Sequence, residues 1–314
     1  MQRALLLYNP FAGGRSKRRQ ALLHELASLI RTAQIELQVE ASGGPGQTPA
    51  QVRAAIDSGC DTVFAAGGDG TVNDVLQALV GTDTALAVIP LGTANALAHD
   101  LEIPLNPLRA AHTALYGRPR RYAVGKAEYI NFLGQRESRY FTVAAGVGID
   151  AHMFYKLNQE SKRRLGMLAY YAKATHLWLT HEMEFFPAEF RNDDSRSHRV
   201  DVSELLAVRI RNFGAVLREF APGASLESDR FRLVLFQTKN RFRYLHYLLR
   251  GVLGRRWTVP GIELKDATWV RCELDTSAQG KRIYVEADGE LAGTVPVELS
   301  IVPNAVTILT PDRA

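Results

Sequence analysis

The first third of the chain alternates short apolar runs with amphipathic stretches. Residues 4–8 (ALLLY) form a continuous apolar run of strand length that ends in the turn-rich NPFAGGRSKRR. Over 17–31 the apolar positions Leu22, Leu23, Leu26, Leu29 and Ile30 recur at helical spacing, which predicts a helix with one buried face. Residues 34–40 predict a second strand, SGGPGQT a loop, and 48–58 a second helix. TVFAA at 62–66 predicts a third strand, followed by GGDGT and a helix over 72–80. ALAVI at 85–89 predicts a fourth strand, followed by PLGTAN and another short helix. The repeated order of strand, glycine-rich loop and helix predicts an α/β domain with a doubly wound parallel sheet and helices on both faces. In such sheets ligands bind at the carboxyl ends of the strands. All of these glycine-rich loops leave carboxyl ends, so they are expected to converge on one edge of the sheet.

The pattern changes after 121. Short β-like runs dominate at 140–145, 205–211, 231–236, 268–274, 282–287 and 295–302, and helical stretches remain only at 151–180 and 240–254. This predicts a second domain, mostly antiparallel, of β-sandwich type. The polar stretch at 191–199 (RNDDSRSHR) predicts an exposed hairpin tip or loop. The expected division is 1–121 and 122–304.

A length of 314 residues fits two domains, and 46% hydrophobic with 23% charged residues excludes a disordered chain. The net charge of +5 suits an anionic partner, whether nucleotide, acidic membrane surface or nucleic acid, and selects none of them. Cys60 and Cys272 stand far apart in no disulfide or zinc pattern, so a reducing cytoplasm is the expected setting. MQRALLLYNP has too short an apolar run for a signal peptide, and no apolar stretch reaches the roughly 20 residues that span a bilayer. A lipid would be met from the surface.

Four segments carry candidate chemistry. Gly67, Gly68, Asp69, Gly70 and Thr71, continued by Val72 and Asn73, let backbone amides approach a phosphate and point a helix N-terminus at it. Asp69 can hold a metal ion, and Thr71 can cap the helix. For a lone loop of this kind a plain strand-to-helix turn would be the better reading; two more glycine loops at equivalent places weaken that reading. Asn9, Pro10, Phe11, Ala12 and Gly13 follow the first strand, and the basic residues Arg15, Lys17, Arg18 and Arg19 after them face either phosphates or plain solvent. Thr93 in PLGTAN offers a hydroxyl, while Asn95 orients a phosphate or braces the loop. Far downstream, Asp288 lies on an Asp-Gly turn after a strand, a common hairpin signal, where a carboxylate can take the proton of an attacking hydroxyl. Glu290 could serve a water or metal network. No GxxxxGK[ST] loop, HRD or DFG set, or GxSxG elbow is present.

In this order the motifs resemble the diacylglycerol kinase catalytic-domain superfamily, nearest its bacterial soluble lipid kinases, with sphingosine and ceramide kinases more distant. NPFAGG is similar to the family's NPxxG, GGDGTVNDV to GGDGTxNEV with Asp74 for glutamate, and PLGTANALA to PLGTxNDFA with Ala96 for aspartate. AAGVGIDA at 144–151, LGMLAY at 165–170, APGASL at 221–226 and VEADGE with the closing VPVELSIVPNAVTIL complete the series. GGDGT alone is shared with NAD kinases and phosphofructokinases; the ordered set is specific.

The resemblance implies an ATP-dependent, Mg2+-requiring kinase that transfers the γ-phosphoryl group to a hydroxyl of a lipid such as diacylglycerol. It implies a nucleotide domain, a β-sandwich lipid-substrate domain, and a last strand, about 305–314, that returns to the first domain. By position, Asn9 to Gly13, Ser42, Gly67 to Asn73 and Thr93 bind ATP, and Asp288 is the general base, with Asp69 as the alternative. Where the bacterial enzymes carry a structural magnesium motif, Glu227, Ser228 and Asp229 stand here, so Glu227 and Asp229 are a degenerate version of that site. The glycine-rich segment of the family is degraded to RNFGAVLREF. The expected partners are a lipid substrate and, peripherally, a membrane surface, without nucleic acid; a homodimer is left open. The expected setting is cytoplasmic and peripherally membrane-associated. An NAD kinase or other soluble-substrate kinase, and a non-catalytic nucleotide-binding regulatory module, are the rival readings. The segment 241–257 mixes arginines with aromatic and aliphatic residues, and its apolar face either packs on the sandwich or meets a membrane.

Overall fold

A computed structural model describes all residues except 13–15, 150, 152–182, 193–195, 214–219, 275–281 and 313–314. The helix expected at 151–180 and the candidate Gly13 therefore lie outside the described residues. The chain divides into a first unit, Met1–Val124 with Asn212–Ala215 and Val302–Ala314, and a second, Gly125–Arg211 with Val216–Ile301.

In the first unit β1 (Arg3–Tyr8) lies between β2 (Glu36–Ala41) and β3 (Thr62–Gly67), and all three run parallel. β4 (Ala85–Pro90) extends the sheet beside β3, and the C-terminal part of β15 (Glu290–Thr310) adds a parallel edge with Thr307 opposite Ala85. Every residue of β3 and β4 is buried, as are Ala4 to Leu7 of β1. Strands covered on both faces have no polar side to keep, which is why their sequences are unbroken apolar runs. β2, at the edge, has no fully buried residue and is correspondingly polar.

The connecting helices are α1 (Ser16–Thr32), α2 (Thr48–Asp57), α3 (Asp69–Leu79), α4 (Ala96–Asp100) and α5 (Pro107–Tyr116). α1 packs with α5, and α2 packs with α3. The helix expected from 72 begins earlier: α3 takes in Asp69, Gly70 and Thr71 as well, with Gly68 as an extended N-cap. α5 was not foreseen, although its signal is local: Asn106 Oδ1 accepts from Arg109 N at 3.1 Å, and Pro107 opens the helix.

The second unit is antiparallel. β12 (Ile262–Ala267), β11 (Phe231–Phe236), β10 (Glu204–Val208), β7 (Ala144–Gly148) and β14 (Tyr284–Ala287) pair in that order, and β14 continues into the first part of β15. β8 (Phe186–Arg191) pairs with β9 (Ser197–Val202) and with β13 (Trp269–Cys272), while β6 (Arg136–Phe141) pairs with β5 (Arg118–Ile130). The polar stretch at 191–199 joins β8 to β9 and enters β9 at Ser197; its middle, 193–195, lies outside the described residues. Phe141, Phe186, Phe231, Val270, Val285 and Leu299 centre one hydrophobic core, in which the Phe141 and Phe231 rings stack at 5.7 Å. Alternate residues of β8 enter that core, as the two-residue period of a strand requires. One helix, α6 (Arg241–Val252), follows β11, capped by Asn240 Oδ1 accepting from Phe242 N at 3.0 Å. Cys60 and Cys272 are free and buried, and burial pushes both thiols up, so they stay protonated packing groups.

Candidate active site

The loops after β1, β3 and β4 meet at the carboxyl edge of the parallel sheet and hold one another. The Asn9 side chain donates to Thr71 Oγ1 at 3.2 Å and accepts from Phe11 N at 2.8 Å, so it ties the first loop to the second. Gly67 has no room for a Cβ, because Thr71 packs directly over it. The second loop meets the third backbone to backbone: a Cβ on Gly92 would stand 2.5 Å from Gly68 Cα, and one on Gly68 would stand 3.2 Å from Gly92 Cα. Asp69 Oδ1 accepts from Ala96 N at 2.7 Å, which adds a second link between these loops. Ser42, after β2, joins through its amide to Tyr8 O at 2.8 Å.

Several expected contacts take a different form. The absence of a side chain at Gly68 serves the junction with Gly92, in addition to any approach of phosphate. Asn95 braces its own loop: its side chain accepts from Gly92 N and donates to Gly92 O, both at 2.9 Å, with the residue itself in the left-handed region at φ 47°. Val72, Thr71 and Asn73 are buried, and Asn73 Oδ1 accepts from Gln77, so they build the helix start that carries the exposed groups. Thr93 and Phe11 are solvent-facing, while Pro10, Ala12, Gly68, Asp69 and Gly70 are half-buried. Together the glycines leave a backbone surface, with α3 starting beneath it, that suits an anion.

Asp288 and Gly289 form the two-residue turn of the β14–β15 hairpin, with φ of 50° and 77°. Both left-handed positions are what a type I′ turn needs and what an Asp-Gly pair supplies. Inside this turn, Glu286 Oε2 accepts from Gly289 N at 2.7 Å. The Asp288 carboxylate reaches back to the start of β7. Oδ1 accepts from Val143 N at 2.8 Å and Ala144 N at 3.1 Å, and Oδ2 from Thr142 N at 2.9 Å and Thr142 Oγ1 at 3.4 Å. Asp288 N in turn donates to Ala144 O at 2.8 Å. Both carboxylate oxygens are therefore fixed in place. Glu290, considered for a metal or water network, forms an ion pair with Arg139 at 2.6 Å. Nothing in the sequence near 139 or 142–144 signals these partners.

Glu227 and Asp229 project into solvent. The carbonyl oxygens of their loop are taken by a cation of the chain itself: fully buried Arg209 donates to Leu226 O at 3.0 Å, Arg230 O at 2.8 Å and Ser228 O. Burial pushes the Arg209 guanidinium down to about 10, against the pull of Asp229. Arg209 thus satisfies three carbonyl oxygens of this loop with donors from within the chain. Among the described residues no three His, Cys, Asp or Glu side chains converge as a metal cluster.

Comparison with known proteins agrees with this anatomy. Residues 3–127 match the diacylglycerol kinase catalytic domain, and residues 142–310 match the YegS C-terminal NAD kinase beta sandwich-like domain. The chain is 26% identical over 317 residues to the diacylglycerol kinase of Bacillus subtilis, covering 99% of this chain and 97% of that one. It is 24% identical over 313 residues to the diacylglycerol kinase of Staphylococcus saprophyticus, at 99% and 96% coverage. Its fold is similar to the crystal structure of a diacylglycerol kinase from Bacillus anthracis, with a TM-score of 0.72, 20% identity, and coverage of 99% and 97%. It is also similar in fold to yeast NADH kinase complexed with NADH, with a TM-score of 0.56, 9% identity, and coverage of 100% and 84%.

Proposed function

We propose that this chain, which belongs to the diacylglycerol kinase catalytic-domain superfamily, is a lipid kinase that transfers the γ-phosphoryl group of ATP to a hydroxyl of a lipid such as diacylglycerol. The observation that carries the reading is the interlocked set of glycine loops at the sheet edge, joined by Gly68 against Gly92, Asn9 on Thr71 and Asp69 on Ala96. Phosphoryl transfer asks mainly for positioning and for neutralisation of charge on the transferred group. A rigid backbone cradle with a helix N-terminus beneath it supplies the first and part of the second.

Magnesium fits this site in a limited way. Asp69 gives one oxygen to Ala96 N and keeps Oδ2 for an ion, and Mg2+ is commonly held by one or two carboxylates with phosphate oxygens and water. When bound, the ion would neutralise phosphate charge. Asp69 would hold it, the loop amides would orient the phosphates, and Thr93 would add a hydroxyl donor. Asp288 would orient the acceptor hydroxyl and take its proton as the bond to phosphorus forms; the fixing of its carboxylate by 142–144 supports the orienting role most directly. No helix among the described residues is long and apolar enough to cross a membrane, so the lipid would be reached from the bilayer surface, and a cytoplasmic setting accords with the buried free cysteines.

A second reading, phosphorylation of NAD or NADH, is favoured by one observation, the fold similarity to yeast NADH kinase. Incubation with γ-labelled ATP, Mg2+ and either diacylglycerol, ceramide and phosphatidylglycerol in mixed micelles or NAD and NADH in solution separates the two. Label in the lipid phase supports the lipid kinase; label only in the dinucleotide overturns it. Label in neither, with ATP binding intact, leaves the chain a nucleotide-binding module.

A further inference from the structure

The helix α6 has two apolar faces, and among the described residues only one of them is packed. Its inner face is explained in full. Tyr244 stacks on Phe236 at 4.3 Å and its hydroxyl lies 2.8 Å from Ser203 Oγ. Tyr247 packs edge-on against Phe220 and Phe236 and donates to Phe220 O at 2.6 Å. Gly251 continues this face one turn later, also buried. Arg250, which reads in the sequence as a basic group available to a headgroup, is 3% exposed; it donates to Phe220 O at 3.0 Å and lies 4.2 Å over the Tyr247 ring. It is an internal strut.

The outer face is the unusual one. Phe242, Leu245, Leu249 and Val252 recur at the three-and-four spacing of a helix face, and they are 82%, 52%, 50% and 50% exposed. Leu248 and Leu253, at 40% and 55%, widen the stripe. A solvent-facing helix side normally carries charge, and a contiguous exposed apolar patch marks a surface that something else covers. Charge identifies the occupant. From 241 to 257 there is no Asp or Glu, and besides the buried Arg250 the basic residues are Arg241 and Arg243, half-buried in the first turn, and Arg255 and Arg256. Arg255 and Arg256, just beyond the helix, are exposed, with Trp257 half-buried beside them. Apolar side chains in the middle, arginines at the ends and no acidic residue are what a helix lying in the plane of an anionic bilayer requires: the stripe enters the acyl boundary and the arginines meet headgroup phosphates.

We propose that the outer face of α6, with Arg255 and Arg256, is a docking surface for an anionic phospholipid bilayer. The surface is defined by exposure and charge alone, and vesicle binding is measured without nucleotide, so it succeeds or fails separately from the phosphoryl-transfer reading. Two double variants test it, both at exposed positions outside the core: Phe242→Ser with Leu249→Ser, and Arg255→Gln with Arg256→Gln. Each is sedimented with vesicles of phosphatidylcholine alone and of phosphatidylcholine mixed with phosphatidylglycerol, after thermal unfolding has shown it folded. The parent is expected to sediment with the mixed vesicles. The arginine variant should partition onto them at least about tenfold more weakly, given what each basic residue contributes near an anionic surface. That difference should shrink in high salt, where the attraction is screened. The apolar variant should lose at least about tenfold on both vesicle types. A parent that stays in the supernatant, or either folded variant sedimenting like the parent, overturns the proposal. So does a parent dimer that the Phe242→Ser, Leu249→Ser variant turns into a monomer without vesicles, because the stripe is then a contact between copies.

Discussion

Replacing Asp288 by asparagine tests two roles at once, and the structure predicts that they will not separate cleanly. The carboxylate accepts from three backbone amides, those of Thr142, Val143 and Ala144, through both oxygens. An amide side chain has one oxygen. Placed at the Oδ1 position, it keeps Val143 and Ala144 but turns an NH2 group toward the Thr142 amide; placed at Oδ2, it deserts the other two. At least one donor loses its acceptor, at about 1–3 kcal/mol, and the surviving bonds fall from charge-assisted to neutral strength. Asp288 is half-buried, so water recovers part of this. The expected destabilisation is about 2–3 kcal/mol. Backbone strain adds nothing, since asparagine accepts the left-handed φ of 50° as readily as aspartate. Asp288→Ala should be worse by about a further 1 kcal/mol, because alanine resists that conformation as well as losing every bond. Urea unfolding measures both, through a lower midpoint at unchanged slope. Turnover of the asparagine variant, taken under conditions where it is fully folded, should fall at least about 100-fold if the carboxylate also takes the proton. An asparagine variant as stable as the parent refutes the anchor. One that is destabilised yet turns over normally refutes the base and leaves the anchor.

The other predictions are simpler. Gly92→Ala places a Cβ 2.5 Å from Gly68 Cα, so the loops must part, and calorimetry should find ATP binding weakened by about tenfold or more, roughly 1.4 kcal/mol. Gly46→Ala, where a Cβ meets nothing within 4 Å, is the control and should bind as the parent does. Arg209→Met strips the cation from the carbonyls of 226, 228 and 230 and should cost about 3 kcal/mol in unfolding, whereas EDTA should leave the parent's thermal midpoint unchanged without nucleotide. A midpoint lowered by EDTA would mean that a metal, and not Arg209 alone, holds the loop. Burial pushes the Tyr247 phenol up from 10.0 to about 12, so the stability it contributes is complete below about pH 10 and is lost as pH rises through about 12. Tyr247→Phe should flatten that alkaline decline in a pH series of unfolding midpoints, even as it loses the bond to Phe220 O.

Much of the first unit was legible in the sequence, because its signals are local. β1, β3 and β4 are buried on both faces and so read as unbroken apolar runs, and α1 and α2 announce themselves by period and flanking turns. From that order alone it followed that glycine loops at strand ends would gather on one edge. The same local chemistry made Asp288-Gly289 a hairpin turn and would have given α5 from Asn106-Pro107. Other elements escaped: β5 and β12 carry charged residues along much of their length and present no clean alternation. What only the tertiary structure decided are pairings set by which strands lie side by side. Asp288 finds its donors at 142–144 because β14 pairs with β7, and Glu290 finds Arg139 across 151 positions of sequence. Gly92 needs to be glycine because of Gly68, and the carbonyls of the loop at 226–230 are bonded by an arginine from another strand end. For α6 the sequence pattern gave one apolar face that either packs on the sandwich or meets a membrane, because hydrophobic period is blind to which side chains have a neighbour. Only the packing of Tyr244 and Tyr247 inward, against Phe220 and Phe236, left Phe242, Leu245, Leu249 and Val252 in solvent.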